Sequence, residues 1–123
     1  MANNLEMENG MEHEMRLNPA PFRMIKRGEK TIELRLYDEK RRKIAVGDTI
    51  VFTETETGER LAVTVTALHV FPSFYELYRA LPLSECGYTE AELETASPDD
   101  MLAYYSLERQ RQYGVVGIGI ARL

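Results

Sequence analysis

The segment Gly28-Glu-Lys30-Thr-Ile-Glu33-Leu-Arg35 holds the residue types best suited to chemistry in this chain of 123 residues. Lys30 stands at a turn, just ahead of an alternating run. Glu33 and Arg35 are two positions apart, so on an extended strand they share a face. Arginine offers a planar fork that suits a phosphate or a base edge. Glutamate accepts from an amino group. Lysine supplies a point charge or, when desolvated, a base. On an open surface the Glu33–Arg35 pair is a plain ion pair that contributes little. On a concave, dry face the same set holds a polar ligand.

Other candidates are weaker. There is no glycine-rich phosphate loop, no zinc-ligand spacing and no nucleophile elbow, so neither a metal nor a cofactor is expected. His13 and His69 each stand alone in a strand-like run and read as structural. Cys86 is the single cysteine and cannot form an internal disulfide, and only a nearby helix start would depress its pKa. Tyr37, Tyr104 and Tyr105 offer rings on which a base can stack, the alternative being ordinary core packing.

The elements that must position these groups follow from the hydrophobic pattern. Thr31–Tyr37 alternates strictly, with Ile32, Leu34 and Leu36 on one face and Thr31, Glu33, Arg35 and Tyr37 on the other. This predicts a strand with one buried face. Ahead of it, His13–Leu17 reads as a short strand. Asn18 and Pro19 open a short helix that Gly28 stops. Residues 38–48 read as a charged loop, Thr49–Thr53 as a strand, and Glu56–Glu59 as a hairpin turn with Gly58 left-handed. Leu61–Phe71 is a long β-rich run. Ser73, with Glu76 at the capping-box position, starts a helix to Leu81, and Thr89 and Glu92 form a second cap pattern. Ser97 and Pro98 start a third helix, with Met101, Leu102, Tyr105 and Leu107 on its buried side and Gly114 ending it. Val115–Leu123 closes the chain as a strand whose Gly117 and Gly119 mark a close approach or a strong bend. A late strand that must pair with earlier ones predicts an α+β fold: a small mixed sheet curled into a partial barrel, with helices covering one end. Residues 1–11 lack periodicity and read as a flexible tail, leaving 12–123 as one domain.

Composition sets the surroundings. Apolar residues make up 44% and charged residues 28%, ordinary for a globular chain. No apolar run is long enough to span a membrane. The acidic N-terminus does not read as a secretory signal, so a cytoplasmic location is expected. The formal charge of −5 argues against unselective coating of nucleic acid. Yet residues 23–43 hold nine basic and four acidic residues, a local balance of +5. This suggests a local site for a phosphate or oligonucleotide, or else pairing with acidic neighbours.

Gly28-x-Lys30-x-x-Glu33-x-Arg35 resembles the signature of the ASCH domain, the activating-signal-cointegrator homology domain. The resemblance continues in Asn18-Pro-Ala-Pro-Phe22, Val46-Gly-Asp48, Tyr105-Ser-x-Glu108 and Tyr113-Gly-Val-Val-Gly-Ile118, and it covers about residues 12–123. It implies a PUA-like β-barrel with a cleft lined by the signature strand, and an association with RNA. Some small bacterial members of the family are enzymes. One group deacylates N-acetylcytidine with a lysine and a threonine of the signature and a downstream glutamate, and another cleaves single-stranded RNA. Lys30 matches the deacylase lysine, but the threonine position is Glu33 here; Thr31 lies two residues earlier, and the downstream acid falls near Glu85-Cys86.

Two functions follow. The first is a binding module for RNA or a nucleotide-like small molecule. Lys30, Glu33, Arg35, Tyr37 and Tyr105 would line the site, and Arg41, Arg42 and Lys43 would meet phosphates alongside Lys40. The second is a hydrolase acting on a modified nucleoside or on RNA, with Glu33 as general base on water and Lys30 stabilising the oxyanion. A regulator whose ligand is not nucleic acid is a third reading.

Overall fold

The computed structural model describes residues 10–123. Five strands form one sheet: β1 (Glu12–Leu17), β2 (Ile32–Leu36), β3 (Thr49–Glu54), β4 (Arg60–Phe71) and β5 (Val115–Arg122). Their spatial order is β1-β3-β4-β5-β2. β1 runs parallel to β3, and every other pair is antiparallel. The sheet curls into a half-barrel whose edge strands, β1 and β2, approach one another. Arg35 on β2 reaches across, its Nη2 donating to the Arg16 carbonyl on β1 at 2.8 Å. The expected curled mixed sheet with helices is the architecture observed.

Strand parity separates two cores. Inside the curl, Met15, Ile50, Phe52, Val63, Val65, Val116, Ile118 and Ile120 pack with Phe22 and Ile25 of helix α1 (Pro19–Lys26). Full burial of each such side chain contributes about 2 kcal/mol. On the other face, Ile32, Leu34, Leu36 and Val115 pack beneath Phe74, Leu77 and Tyr78 of a helix spanning Phe74–Ala80 and beneath Met101. Gly117 makes this second layer fit: a Cβ there would lie 2.6 Å from Leu81 Cδ1. Gly119 sits against the β4 bulge between Val65 and Ala67, where a Cβ would lie 2.8 Å from Thr66 Oγ1. Both glycines thus serve the close approach expected of them.

Several elements differ from the sequence reading. Residues 38–48, expected as loop, include a one-turn helix α2 (Glu39–Arg42), because Asp38 accepts the Arg41 N–H at 3.1 Å. The Phe74–Ala80 helix is α3, and Ser73 does not cap it as expected. Its hydroxyl instead donates to the Glu76 carboxylate at 3.0 Å. Asn18 likewise makes no side-chain cap. Thr89 and Glu92 do form a complete capping box on α4 (Glu90–Leu93). The third helix is not continuous. A 3₁₀ segment, Pro98–Ala103, ends at Tyr104, and α5 (Leu107–Tyr113) starts afresh where Ser106 Oγ accepts the Arg109 N–H. That break turns Leu102 and Leu107 out to 44% and 51% exposure, whereas Met101 stays buried. Most of the expected N-terminal tail, residues 1–9, lies outside the described residues. Met11, at its end, donates its N–H to Asp48 Oδ1 at 3.0 Å, and His13 Nε2 lies 2.7 Å from Asp48 Oδ2. His13 is therefore structural, as its isolation suggested.

Candidate functional site

β2 pairs with β5 so that Glu33 lies opposite Ile118 and Arg35 opposite Val116. The charged pair is thereby on the face that carries the main core. Just before the strand, Gly28 takes φ +77° and turns the chain out of α1. Thr31 is fixed on two sides: its N–H donates to the Glu85 carbonyl, and its carbonyl accepts the Ile120 N–H, each at 2.9 Å. This anchors the backbone from which Lys30 extends.

The three side chains form one ion cluster. Lys30 Nζ lies 2.7 Å from Glu33 Oε1, and Arg35 Nε lies 2.7 Å from Glu33 Oε2. Side-chain exposure is 11% for Lys30, 5% for Glu33 and 13% for Arg35, so the cluster is nearly dry. Burial alone would raise the Glu33 carboxyl, but Lys30 and Arg35 outweigh it and hold it below the usual range. Burial likewise opposes the charge on Arg35, and Glu33 more than restores it. Gly87, at φ +104°, packs on the lysine; a Cβ there would lie 3.2 Å from Lys30 Cδ. A side chain at position 87 would press on the aliphatic stem that delivers the ammonium to Glu33.

The cluster opens on a cleft of about 950 Å³. Arg16, Leu17, Asn18, Ala20, Pro21 and Met24, from the end of β1 through α1, form one wall. The other wall comes from the segments after α3: Cys86, Gly87, Tyr88, Asp100 and Tyr105, with Tyr78 of α3. Tyr105 stacks on Phe74, with centroids 6.2 Å apart and planes 16° from parallel. The lining carries Arg16, Lys30 and Arg35 against Glu33, Glu92 and Asp100, a balanced set of charges. Burial pushes the Cys86 thiol up to about 11, and the Sγ donates to the Pro82 carbonyl. It is a buried, protonated wall atom at neutral pH. Among the described residues, no three His, Cys, Asp or Glu side chains group as a metal site.

Of the residues singled out from sequence, Lys30, Glu33, Arg35 and Tyr105 come together in the cleft, and the 66% exposed Tyr104 lines its mouth. Tyr37, Arg41, Arg42 and Lys43 do not line it. Tyr37 packs against the main core and carries the Arg42 guanidinium 4.5 Å above its ring. Arg42 also donates to the Tyr113 carbonyl, and Arg41 pairs with Asp38 at 3.1 Å. Lys43 is exposed at the end of α2. Thr31 and Glu85 meet, the hydroxyl donating to the carboxylate at 2.9 Å, but neither lines the cleft. Arg16, Tyr78, Gly87, Tyr88 and Asp100 were not anticipated as lining residues. Tyr78 had the helical spacing of a core residue, which it also is. The others carry no local signal, because the topology alone brings residues 16 and 100 to one cleft.

The match to protein families decides the assignment: the ASCH domain model fits residues 15–123. The chain belongs to the ASCH family. Its PUA-like fold is associated with RNA binding. This ASCH domain is similar to the hypothetical protein PH0355, at 37% identity and TM-score 0.77, over 92% of this chain and all of that one. It is also similar to the protein PF0455 from Pyrococcus furiosus, at 39% identity and TM-score 0.67, over 92% and 98% of the two chains. A mutant of ZmASCH from Zymomonas mobilis shares the fold at 15% identity and TM-score 0.64, over 93% of this chain and 70% of that one. No curated protein matches the sequence. Among the described residues, no helix is long and apolar enough to cross a membrane.

Proposed function

We propose that the cleft recognises one nucleoside unit, free or within single-stranded RNA. The observation that carries this reading is the dry Lys30–Glu33–Arg35 cluster at the floor of a cleft large enough for such a ligand. After binding Glu33, Lys30 still has ammonium protons to donate, and Arg35 has guanidinium protons beyond those given to Glu33 and Arg16. Tyr105 and Tyr104 supply flat faces at the opposite wall. The balanced charge of the lining favours a neutral base and sugar over a polyphosphate. Phosphate contacts by Arg41, Arg42 and Lys43 would lie outside the cleft, on the α2 turn. A carboxylate that already holds two cations is a weak base, so recognition is favoured over hydrolysis by Glu33.

The test is fluorescence anisotropy with a labelled mixed-sequence single-stranded RNA, plus calorimetry with free nucleosides, each at two salt concentrations. Binding lost in Lys30→Ala or Arg35→Ala, with the fold retained by circular dichroism, supports the cleft. A steep salt dependence for RNA, relaxed in an Arg42→Ala/Lys43→Ala variant, assigns the phosphates to α2. Acquisition of product by mass spectrometry would replace recognition with catalysis. Absence of binding in every format refutes the reading.

A further inference from the structure

One wall of the cleft carries three oxygens in series. Tyr78 Oη lies 2.6 Å from Tyr88 Oη, and Tyr88 Oη donates to Asp100 Oδ2 at 2.7 Å. The same Asp100 oxygen accepts the Ser97 N–H at 3.1 Å, which holds the carboxylate in place at the start of the 3₁₀ segment. Tyr78 and Tyr88 meet edge to face, with centroids 5.9 Å apart. Tyr78, Tyr88 and Asp100 all line the cleft that contains the ion cluster.

The direction of this relay is fixed by proton counting. An ionised carboxylate only accepts, so Asp100 takes the single hydroxyl proton of Tyr88. Tyr88 has no second proton, so Tyr78 must donate to it. The Tyr78 hydroxyl is then spent, and its oxygen retains lone pairs alone. Without Asp100 either tyrosine could point its proton into the cleft, and the wall would have no fixed polarity. With Asp100 the wall presents an acceptor to the same cleft in which Lys30 and Arg35 hold free donor protons.

We infer that Tyr78 Oη is an acceptor-only subsite, and that Tyr88 and Asp100 are positioning residues that keep it so. The inference rests on the nucleoside reading of the cleft and narrows it. The favoured ligand has an acceptor edge for Lys30 and Arg35 and an N–H donor for Tyr78, as an amino-bearing base does. A ligand that turns only acceptors or C–H toward Tyr78 leaves its lone pairs unpaired in a half-dry wall, which is where discrimination is largest.

The experiment is calorimetry on the whole protein with three pairs of ribonucleosides, each pair differing by one amino group: cytidine and its 4-deamino analogue, adenosine and purine riboside, guanosine and inosine. The expected result is a preference of about 10-fold or more for the amino-bearing member of at least one pair. In Tyr88→Phe, Tyr78 regains a free hydroxyl proton, and the preference falls to about 3-fold or less. Asp100→Asn, which can accept or donate, relaxes the ratio in the same direction and guards against misfolding of the first variant. A purely structural role for Tyr88 would weaken both members of a pair equally and leave the ratio alone. Equal binding of both members by the unaltered protein, or an unchanged ratio in both variants, overturns the acceptor subsite while leaving the nucleoside reading intact. Binding of none of the six probes overturns the nucleoside reading and this inference with it.

Discussion

Removing the anion from the Lys30–Glu33–Arg35 cluster tests whether the cluster is as dry as its geometry states. In Glu33→Leu, two cations remain with no counter-charge. Each was 2.7 Å from a Glu33 oxygen. At an effective dielectric of about 20, each contact has a gross attraction on the order of 6 kcal/mol. Desolvation of the three groups offsets most of that sum, so the net value of the intact cluster is small. The loss on breaking it is not small, because the cations stay buried. About 3–5 kcal/mol is expected, a large share of the roughly 5–15 kcal/mol that holds a domain together. For a chain of this size that lowers Tm by about 10–20 °C. Thermal unfolding at pH 7, followed by far-ultraviolet circular dichroism, measures it. A companion variant, Lys30→Met/Glu33→Leu/Arg35→Met, replaces all three groups with apolar ones. It is expected to recover most of the lost stability and to bind no ligand, which would separate recognition from folding. A fall of less than about 3 °C for Glu33→Leu would refute the argument, since it would mean that water already screens the cluster.

Three further outcomes follow from the geometry. Gly119→Ala should cost about 1–3 kcal/mol in chemical denaturation and more than Gly117→Ala, because Gly119 meets the Ala67 backbone whereas Gly117 meets the movable tip of Leu81. The Cys86 thiol, pushed up to about 11, should react with an aromatic disulfide at pH 8 roughly 100-fold more slowly in the native protein than in the unfolded chain. Burial works to raise the Asp48 carboxyl, but hydrogen bonds from His13 and from the Ala45 and Met11 N–H groups hold it below its ordinary value. Its folded pKa is thus the lower one, so its stabilisation is complete above the ordinary carboxylate range and drains away as pH falls through the folded value. Asp48→Asn should therefore flatten the acid limb of a stability–pH curve measured between pH 2 and 6.

The signature strand was legible because its period is strict: Ile32, Leu34 and Leu36 could only face one way, which put Glu33 and Arg35 on the other. The curl of the sheet was legible from a late apolar strand with alternating glycines. Helix continuity after Ser97 was not, because Met101 and Tyr105 keep helical spacing across a break that only the Ser106 cap reveals. The roles of Arg41 and Arg42 were also hidden. A run of basic residues looks free in sequence, but Asp38, Tyr37 and the Tyr113 carbonyl engage two of them. Half of the cleft was invisible for a simpler reason. Tyr88 and Asp100 stand far from Lys30 along the chain, and no local pattern encodes a wall made by a loop folding back.

The strand order has a consequence for how the protein is made. Among the described residues β2 has one backbone neighbour, β5, which follows the other four strands in the chain and sits between β4 and β2. From residue 36 until residue 115 emerges, the strand carrying Glu33 and Arg35 lacks that neighbour. β1, β3 and β4 can assemble early, since their partners are already present. The binding cleft is therefore a late event in folding, gated by long-range pairing that is intrinsically slow. A chain stalled before Val115 would hold a three-stranded remnant with two open edges and an unpaired, partly charged strand, the kind of species that chaperones or proteases meet first.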